Sequence, residues 1–101
     1  MSTTNAILKS KINTQSADFQ RNSNAMQALV DDLAQKVSAI KQGGGEQYQQ
    51  RHKARGKLLV RERVDALIDP GSPFLEISQL AAYEVYQEEV NCAGVVAGIA
   101  R

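Results

Sequence analysis

The amino-acid sequence predicts an α/β fold that is mostly helical within these 101 residues and has a first core strand near residues 94–100. Apolar residues recur at helical spacing between residues 26 and 40, and small and β-branched apolar residues fill the end of the chain. With 43% hydrophobic and 23% charged residues, the composition is that of an ordinary globular domain. This composition excludes collagen-like and disulfide-rich proteins, and the length allows at most one domain.

The first third of the chain predicts an N-terminal arm followed by a helix. Residues 1–23 are rich in Ser, Thr, Asn and Gln without clear periodicity, so we expect a loose arm there and the start of an incomplete domain over residues 24–101. Ser23 or Asn24 can cap the helix, and the glycines at 43–45 stop it. The apolar stripe of this helix consists of Met26, Leu29, Val30, Leu33, Val37 and Ile40. Its short length favours ordinary core packing over a coiled coil.

Two shorter helices are predicted in the middle of the chain. The first runs from about Glu46 to Ala54 and is broken by Gly56. The second runs from about Val60 to Ile68, and Arg61 and Asp65 can form an ion pair across one of its turns. Its predicted apolar face consists of Val60, Val64, Leu67 and Ile68.

A turn and two extended segments are predicted next. Residues 69–73 read Asp-Pro-Gly-Ser-Pro, in which Gly71 can take the positive φ of a type II turn. Residues 74–77 predict a short strand, and residues 80–86 have no clear period. The apolar run at 92–100 predicts a strand buried on both faces, which needs partners on both edges. These residues do not supply such partners, so we expect a truncated part of a longer polypeptide.

The net charge of +1 is unevenly distributed: +2 over residues 1–23, zero over 24–45, +4 over 46–63 and −5 over 64–101. We call residues 51–63 the basic segment; its six cations are Arg51, Lys53, Arg55, Lys57, Arg61 and Arg63. Such a segment forms either a solvated, ion-paired surface or a contact surface for an anionic molecule or partner. The near-neutral total and the scarcity of aromatic residues argue against nucleic-acid binding.

The residues predict no catalytic or metal-binding site. The sequence has no recognisable Ser-His-acid set, zinc spacing or phosphate-binding loop. His52 is predicted to be exposed, and the single cysteine, Cys92, to be a small buried apolar residue. No apolar stretch is long enough to cross a membrane or to serve as a leader, and Asp18 argues against a mitochondrial presequence. We therefore expect a bacterial cytoplasmic protein.

A basic His-x-x-Arg-Gly-Lys-Leu run at residues 52–58 is followed by Arg-Glu-Arg at 61–63 and Asp-x-Gly-Ser at 69–72. This pattern resembles the carboxyltransferase β subunits of biotin-dependent acyl-CoA carboxylases. The resemblance covers nearly all of residues 7–101. Within the family, residues 69–76 and the end of the chain look most like the methylcrotonoyl-CoA carboxylase branch, and the geranyl-CoA and propionyl-CoA carboxylase subunits share much of the segment.

The resemblance implies a crotonase-like α/β fold of two related domains, several times longer than this chain, in β subunits that form a homohexameric ring. A separate α subunit, with biotin carboxylase and carrier domains, would use ATP and bicarbonate to carboxylate the biotin that it carries. The β subunit would then transfer CO₂ from carboxybiotin to the γ carbon of 3-methylcrotonoyl-CoA in leucine degradation, with backbone N–H groups stabilising the enolates. The implied cofactor is thus biotin on the partner subunit, the implied substrate is an acyl-CoA, and neither nucleic acid nor a membrane is an expected partner.

The resemblance assigns no catalytic residue to this chain, because the glycine-rich loops of the family lie downstream of the matching segment. We therefore expect these residues alone to be inactive. Arg51, Arg55 and Lys57 are candidate contacts of the CoA phosphates, because CoA carries several negative charges and these cations are clustered. The alternatives are a β subunit acting on geranyl-CoA or propionyl-CoA, and a small helical interaction module that binds an anionic partner through residues 51–63.

Overall fold

The computed structural model describes residues 6–101, which contain three α-helices and one two-stranded sheet. The helices are α1 (Ala17–Lys41), α2 (Glu46–Ala54) and α3 (Val60–Leu67), and the strands are β1 (Leu75–Ile77) and β2 (Ala97–Ile99). The chain divides into two compact units, the first ending at Asp32 and the second comprising Leu33–Arg101. The prediction of a mostly helical chain with a small amount of strand is confirmed.

Helix α1 begins well before the predicted cap at Ser23 or Asn24. The side-chain oxygen of Ser16 accepts a hydrogen bond from the backbone N–H of Phe19 at 3.1 Å, which is the geometry of a helix N-cap. Asp18 lies in the first turn, where a negative charge is favourable. Residues 17–23 of the predicted arm are therefore helical, and residues 1–5 of that arm lie outside the described part of the chain.

The apolar stripe of α1 is buried only at its C-terminal end. Ile40 is 4% exposed and Val37 is half-buried, whereas Met26, Leu29 and Leu33 are exposed. A helix of 25 residues is about 38 Å long. The other two helices have 9 and 8 residues and are too short to cover that length. Core packing of the stripe is thus confirmed at Ile40 and is not seen at Met26, Leu29 and Leu33 within residues 6–101.

Helix α2 has the predicted bounds, and Gly56 follows it with a φ of 75°. Helix α3 ends one residue earlier than predicted. On its predicted apolar face, Val64 and Ile68 are half-buried, but Leu67 is 86% exposed. The face that packs is narrower than the apolar pattern indicated, because Leu67 lies on the solvent side of the last turn.

The turn after α3 has the predicted form. The backbone N–H of Ser72 donates to the carbonyl of Asp69 at 2.9 Å, and Gly71 has a φ of 75°. Strand β1 then pairs antiparallel with β2, in the register Leu75 with Ile99, Glu76 with Gly98 and Ile77 with Ala97. The turn therefore leads directly into the sheet.

The C-terminal apolar run differs from the predicted strand. Asn91–Gly94 form a 3₁₀ turn in which Cys92 and Ala93 have φ values of 52° and 50°, so an extended strand cannot begin there. The strand is limited to Ala97–Ile99, and Val95 and Ile99 are 66% and 62% exposed. Within residues 6–101 it is paired on one edge, with β1, and its residues are exposed, which agrees with the expectation that these residues do not supply the partners of a strand buried on both faces.

Candidate functional site

The basic segment covers the end of α2, the connection to α3 and the first half of α3. The ring of His52 is half-buried, and its Nε2 lies 2.8 Å from the carbonyl oxygen of Leu58. Because a carbonyl oxygen only accepts, Nε2 carries the proton and donates this hydrogen bond. His52 was predicted to be exposed, but it is half-buried, and its hydrogen bond links α2 to the connection that follows it.

A second link joins α2 to α3 through an ion pair. The Nζ of Lys53 lies 3.0 Å from a carboxylate oxygen of Glu62. The other oxygen of Glu62 accepts the backbone N–H of Leu59 at 2.9 Å, at the start of α3. The pKa of Glu62 lies below its ordinary value, because hydrogen bonds stabilise its carboxylate. The larger contribution comes from the N–H of Leu59 and the smaller one from Lys53. One of the six cations is therefore neutralised within the segment.

Arg61 forms a bidentate ion pair with Glu76. Its two terminal nitrogens donate to the two carboxylate oxygens of Glu76 at 2.7 and 2.8 Å. The side chain of Glu76 is 4% exposed and that of Arg61 is 26% exposed. The hydrogen bonds from Arg61 hold the pKa of Glu76 below its ordinary value. The predicted ion pair between Arg61 and Asp65 is wrong. Strand β1 places the carboxylate of Glu76 where it accepts two hydrogen bonds from Arg61, and Asp65 stays exposed.

Cys92 lies against this ion pair. Its Sγ is 3.8 Å from both Nη2 of Arg61 and Oε1 of Glu76, and its S–H donates to the carbonyl of Gln79 at 3.4 Å. Burial, followed by the charge of Glu76, raises the pKa of the thiol. Cys92 is 7% exposed, so the prediction of a buried apolar residue is confirmed. A cavity of about 290 Å³ adjoins the pair and is also lined by Lys41.

Four cations of the basic segment keep no carboxylate partner. The guanidinium carbon of Arg51 lies 5.7 Å from the ring centroid of Tyr48, and Arg55, Lys57 and Arg63 are exposed. Among residues 6–101, none of the four has a carboxylate oxygen within 4.0 Å. The segment is therefore neither fully ion-paired nor fully free: two of its cations are neutralised and four remain available to an anion.

The predicted contacts Arg51, Arg55 and Lys57 all lie on the exposed surface at the end of α2 and in the connection after it. Beside them is a groove of about 260 Å³, lined by Tyr48, His52, Leu58 and Arg63 among others. This groove was not predicted from the sequence. Its aromatic and basic members, Tyr48 and Arg63, are 15 positions apart, and only the path of the chain through α2, the connection and α3 brings them to one groove.

Residues 6–101 contain no cluster of three or more His, Cys, Asp or Glu side chains arranged to hold a metal ion. Over the same residues, no helix is long and apolar enough to cross a membrane.

Comparisons with known proteins identify relatives of the chain. The model of the carboxyl transferase domain family matches residues 51–101. The chain is 48% identical over 96 residues to a probable mitochondrial methylcrotonoyl-CoA carboxylase beta chain of Drosophila melanogaster, an alignment that covers 94% of this chain and 17% of that protein. It is 53% identical over 73 residues to a biotin-dependent 3-methylcrotonyl-coenzyme A carboxylase beta1 subunit of Mycobacterium tuberculosis, covering 72% of this chain and 14% of that protein.

A solved structure has the same fold over most of the chain. The crystal structure of the beta subunit of P. aeruginosa geranyl-CoA carboxylase matches with a TM-score of 0.72 and 38% sequence identity, covering 92% of this chain and 17% of that one. The chain thus spans about a sixth of the length of the relatives it matches.

Proposed function

This chain belongs to the carboxyl transferase domain family and is homologous to methylcrotonoyl-CoA carboxylase beta chains. From that premise we propose that it is part of the carboxyltransferase β subunit of a biotin-dependent acyl-CoA carboxylase. The proposed reaction transfers CO₂ from carboxybiotin to the γ carbon of 3-methylcrotonoyl-CoA, a step of leucine degradation. The identities of 48% and 53% to two methylcrotonoyl-CoA carboxylase subunits support this substrate over geranyl-CoA and propionyl-CoA.

The observation that carries a role for this chain is the set of cations without carboxylate partners. CoA is an anionic cofactor with phosphates at one end, and guanidinium and ammonium groups bind phosphates through charge-assisted hydrogen bonds. Arg51, Arg55 and Lys57 lie within seven consecutive residues, are exposed, and keep no carboxylate within 4.0 Å among residues 6–101. We assign these three side chains to the phosphates of the acyl-CoA.

The proposed cofactor, biotin, is carried by the partner α subunit and not by this chain. Among residues 6–101, no buried side-chain nitrogen or oxygen lacks a hydrogen-bond partner. No chemical step of the reaction is assigned to these residues. We further propose a partner α subunit that has biotin carboxylase and carrier domains and that alone uses ATP. The β subunits would form a homohexameric ring. In this chain, a domain of crotonase-like fold would begin near residue 24.

The substrate and the phosphate contacts are tested together on the assembled carboxylase. ATP-dependent incorporation of labelled bicarbonate should give a kcat/KM for 3-methylcrotonoyl-CoA about tenfold or more above that for geranyl-CoA or propionyl-CoA, since differences in acyl size are worth roughly that much in an apolar pocket. Replacing Arg51, Arg55 and Lys57 together with Gln should raise the KM for the acyl-CoA about tenfold, because three exposed ion pairs at about 0.5 kcal/mol each sum to roughly the energy of one decade.

The matched control replaces Lys9, Lys11 and Arg21 with Gln, which removes the same charge outside the basic segment. This control should leave the KM unchanged, and the effect of the first triple variant should shrink at high salt. An unchanged KM in the Arg51, Arg55 and Lys57 variant would refute the phosphate assignment. A complex that carboxylates none of the three substrates would instead support the interaction module, since the same four free cations suit any anionic partner.

A further inference from the structure

The loop that joins the two strands is long for its place in the fold. Strand β1 ends at Ile77 and β2 begins at Ala97, and these two residues face each other in the antiparallel register. The β1–β2 loop, residues 78–96, contains one 3₁₀ turn and no other regular element. Loops longer than about 12–15 residues without secondary structure of their own are uncommon, and many are lids or binding loops. Because the sheet holds its two ends together, this loop can move without separating the strands.

The backbone of the β1–β2 loop is strained. A positive φ is uncommon outside glycine, because the Cβ of an L-residue then approaches its own backbone. Every non-glycine residue with a positive φ among residues 6–101 lies in this loop, at values of 50–65°: Ser78, Ala82, Glu84, Cys92 and Ala93. Strained residues of this kind persist only where surrounding contacts hold them, and they cluster at clamps and switch regions.

The strained residues include both ends of the loop. Ser78 directly follows β1, and Ala93 and Gly94 come shortly before β2, with φ values of 60°, 50° and 75°. Hinges are a few residues at the ends of elements that absorb large changes of φ and ψ. Each of these two positions can release strain when its backbone rotates, so both have the properties of a hinge.

The loop is held by polar contacts at its base and by little apolar burial. Within residues 78–96, Cys92 is the one buried residue, and residues 83–89 are exposed. The S–H of Cys92 donates to the carbonyl of Gln79 at 3.4 Å, and the N–H of Ala93 donates to that of Ala81 at 3.0 Å. These bonds join the two ends of the loop to each other.

Other polar contacts join the loop to the rest of the structure: Cys92 with Arg61 and Glu76, Asn91 with the carbonyl of Gly43, and the Tyr83 ring with Lys36. The base of the loop thus covers one side of the Arg61–Glu76 pair. Segments with few buried apolar contacts open locally at a lower free energy than the whole protein unfolds.

We propose that residues 78–94 are a lid that opens and closes on the fixed β1–β2 pair, with hinges at Ser78 and at Ala93–Gly94. The closed form is the one that the structure describes. Opening lets the left-handed residues relax and breaks the hydrogen bond from Cys92 to Gln79. It uncovers the thiol, the Arg61–Glu76 pair and the cavity of about 290 Å³ beside that pair. The lid does not depend on which acyl-CoA the carboxylase uses.

Native-state hydrogen exchange of the full chain, followed by NMR, measures the opening. The amides of Ala81, Tyr83 and Ala93 donate hydrogen bonds within the loop, and those of Arg63 and Ile68 donate hydrogen bonds in and next to α3. The three loop amides should share one protection factor, because they open as one unit. This factor should exceed that of an unfolded peptide and lie about tenfold or more below that of the two α3 amides.

Two results of this measurement overturn the proposal. Loop amides that exchange as fast as those of an unfolded peptide would show that the closed form is not populated. Loop amides as protected as those of Arg63 and Ile68 would show that the loop opens only when the whole structure unfolds.

The variant Ala93→Gly distinguishes a strained lid from an ordinary loop. Ala93 is exposed and has a φ of 50°, so glycine loses little packing and removes the strain of the closed form. Exchange of the Tyr83 amide should therefore slow by about fivefold. The matched control is Ala81→Gly, because Ala81 does not have a positive φ. Glycine there adds freedom to the open form, so exchange should become about twofold or more faster. The proposal fails if both variants change the exchange rate in the same direction.

Labelling of Cys92 by iodoacetamide in the native protein is an independent readout, because the buried thiol becomes accessible when the lid opens. Ala93→Gly should slow labelling by the same factor as the exchange of the Tyr83 amide, and Ala81→Gly should speed it. Equal labelling rates in the two variants would overturn the proposal, because Cys92 would then not lie under the lid.

Discussion

Replacing Glu76 with Gln should destabilise the protein more than any other single removal of a carboxylate among the described residues. Gln has nearly the same shape and keeps one oxygen acceptor, but it removes the negative charge that faces Arg61. The two hydrogen bonds from Arg61, at 2.7 and 2.8 Å, connect α3 to β1. Without its partner charge, the guanidinium is left partly buried beside Cys92, which is 3.8 Å away and uncharged when protonated.

The size of the effect follows from the burial of the pair. Breaking a fully buried ion pair costs about 3–5 kcal/mol. Glu76 has a side chain that is 4% exposed, but that of Arg61 is 26% exposed, so water can partly solvate the arginine left behind. We therefore expect a loss of about 2–3 kcal/mol, which is a large fraction of the roughly 5–15 kcal/mol that stabilises a typical domain.

Urea denaturation followed by circular dichroism measures this loss. A double-mutant cycle with Arg61→Gln should give a coupling energy of about 2 kcal/mol between the two side chains. The matched control is Glu84→Gln, because Glu84 is exposed, and its free energy of unfolding should change by less than about 0.5 kcal/mol. If Glu76→Gln and Glu84→Gln unfold at the same urea concentration, the assignment of a stabilising buried pair is refuted.

The same pair fixes the direction of a pH dependence. The pKa of Glu76 in the folded protein lies below its ordinary value of 4.5, so the unfolded chain binds the proton more readily. The stability from this pair is fully present above the ordinary value and is lost as the pH falls through the lower folded pKa. The stability difference between the wild type and Glu76→Gln should therefore be constant near pH 7 and shrink in acid. A difference that grows as the pH falls from about 5 would contradict this sign.

Two other predictions concern the sheet and the thiol. Gly98→Ala should lower the free energy of unfolding by about 1–3 kcal/mol in urea denaturation, because a Cβ there would overlap the ring of Phe74 and come 2.6 Å from the carbonyl oxygen of Leu75. Adding Phe74→Leu should restore part of this loss, and equal urea midpoints for Gly98→Ala and the wild type would show that the sheet can adjust. Alkylation of Cys92 by iodoacetamide near pH 8 should be about tenfold or more slower in the folded than in the urea-unfolded protein, because burial raises the pKa of the thiol and the thiolate is the reactive form. Equal alkylation rates in the two states would contradict the burial of Cys92.

Local signals were enough to predict several elements. The bounds of α2 and the turn before β1 follow from Gly56 and Gly71, whose positive φ values end a helix and complete a type II turn. The start of α1 was missed because Ser16 and Ser23 are equally good caps by residue type, and the polar residues between them carry no apolar periodicity. The predicted strand at 92–100 was too long because apolar content does not reveal the left-handed backbone at Cys92.

The sequence by itself determined the local features of this protein: its helical periodicity, its turns, the six cations of the basic segment and the motifs that it shares with its family. Only the tertiary structure decided which cations are neutralised. Arg61 could reach Asp65 within its own helix, yet it binds Glu76, which lies 15 positions away in the sequence. The same packing places Arg63 and Tyr48 on one groove. The reason is physical: helix and turn propensities act between residues a few positions apart, whereas ion pairs and grooves depend on which elements the whole fold brings within a few ångströms of each other.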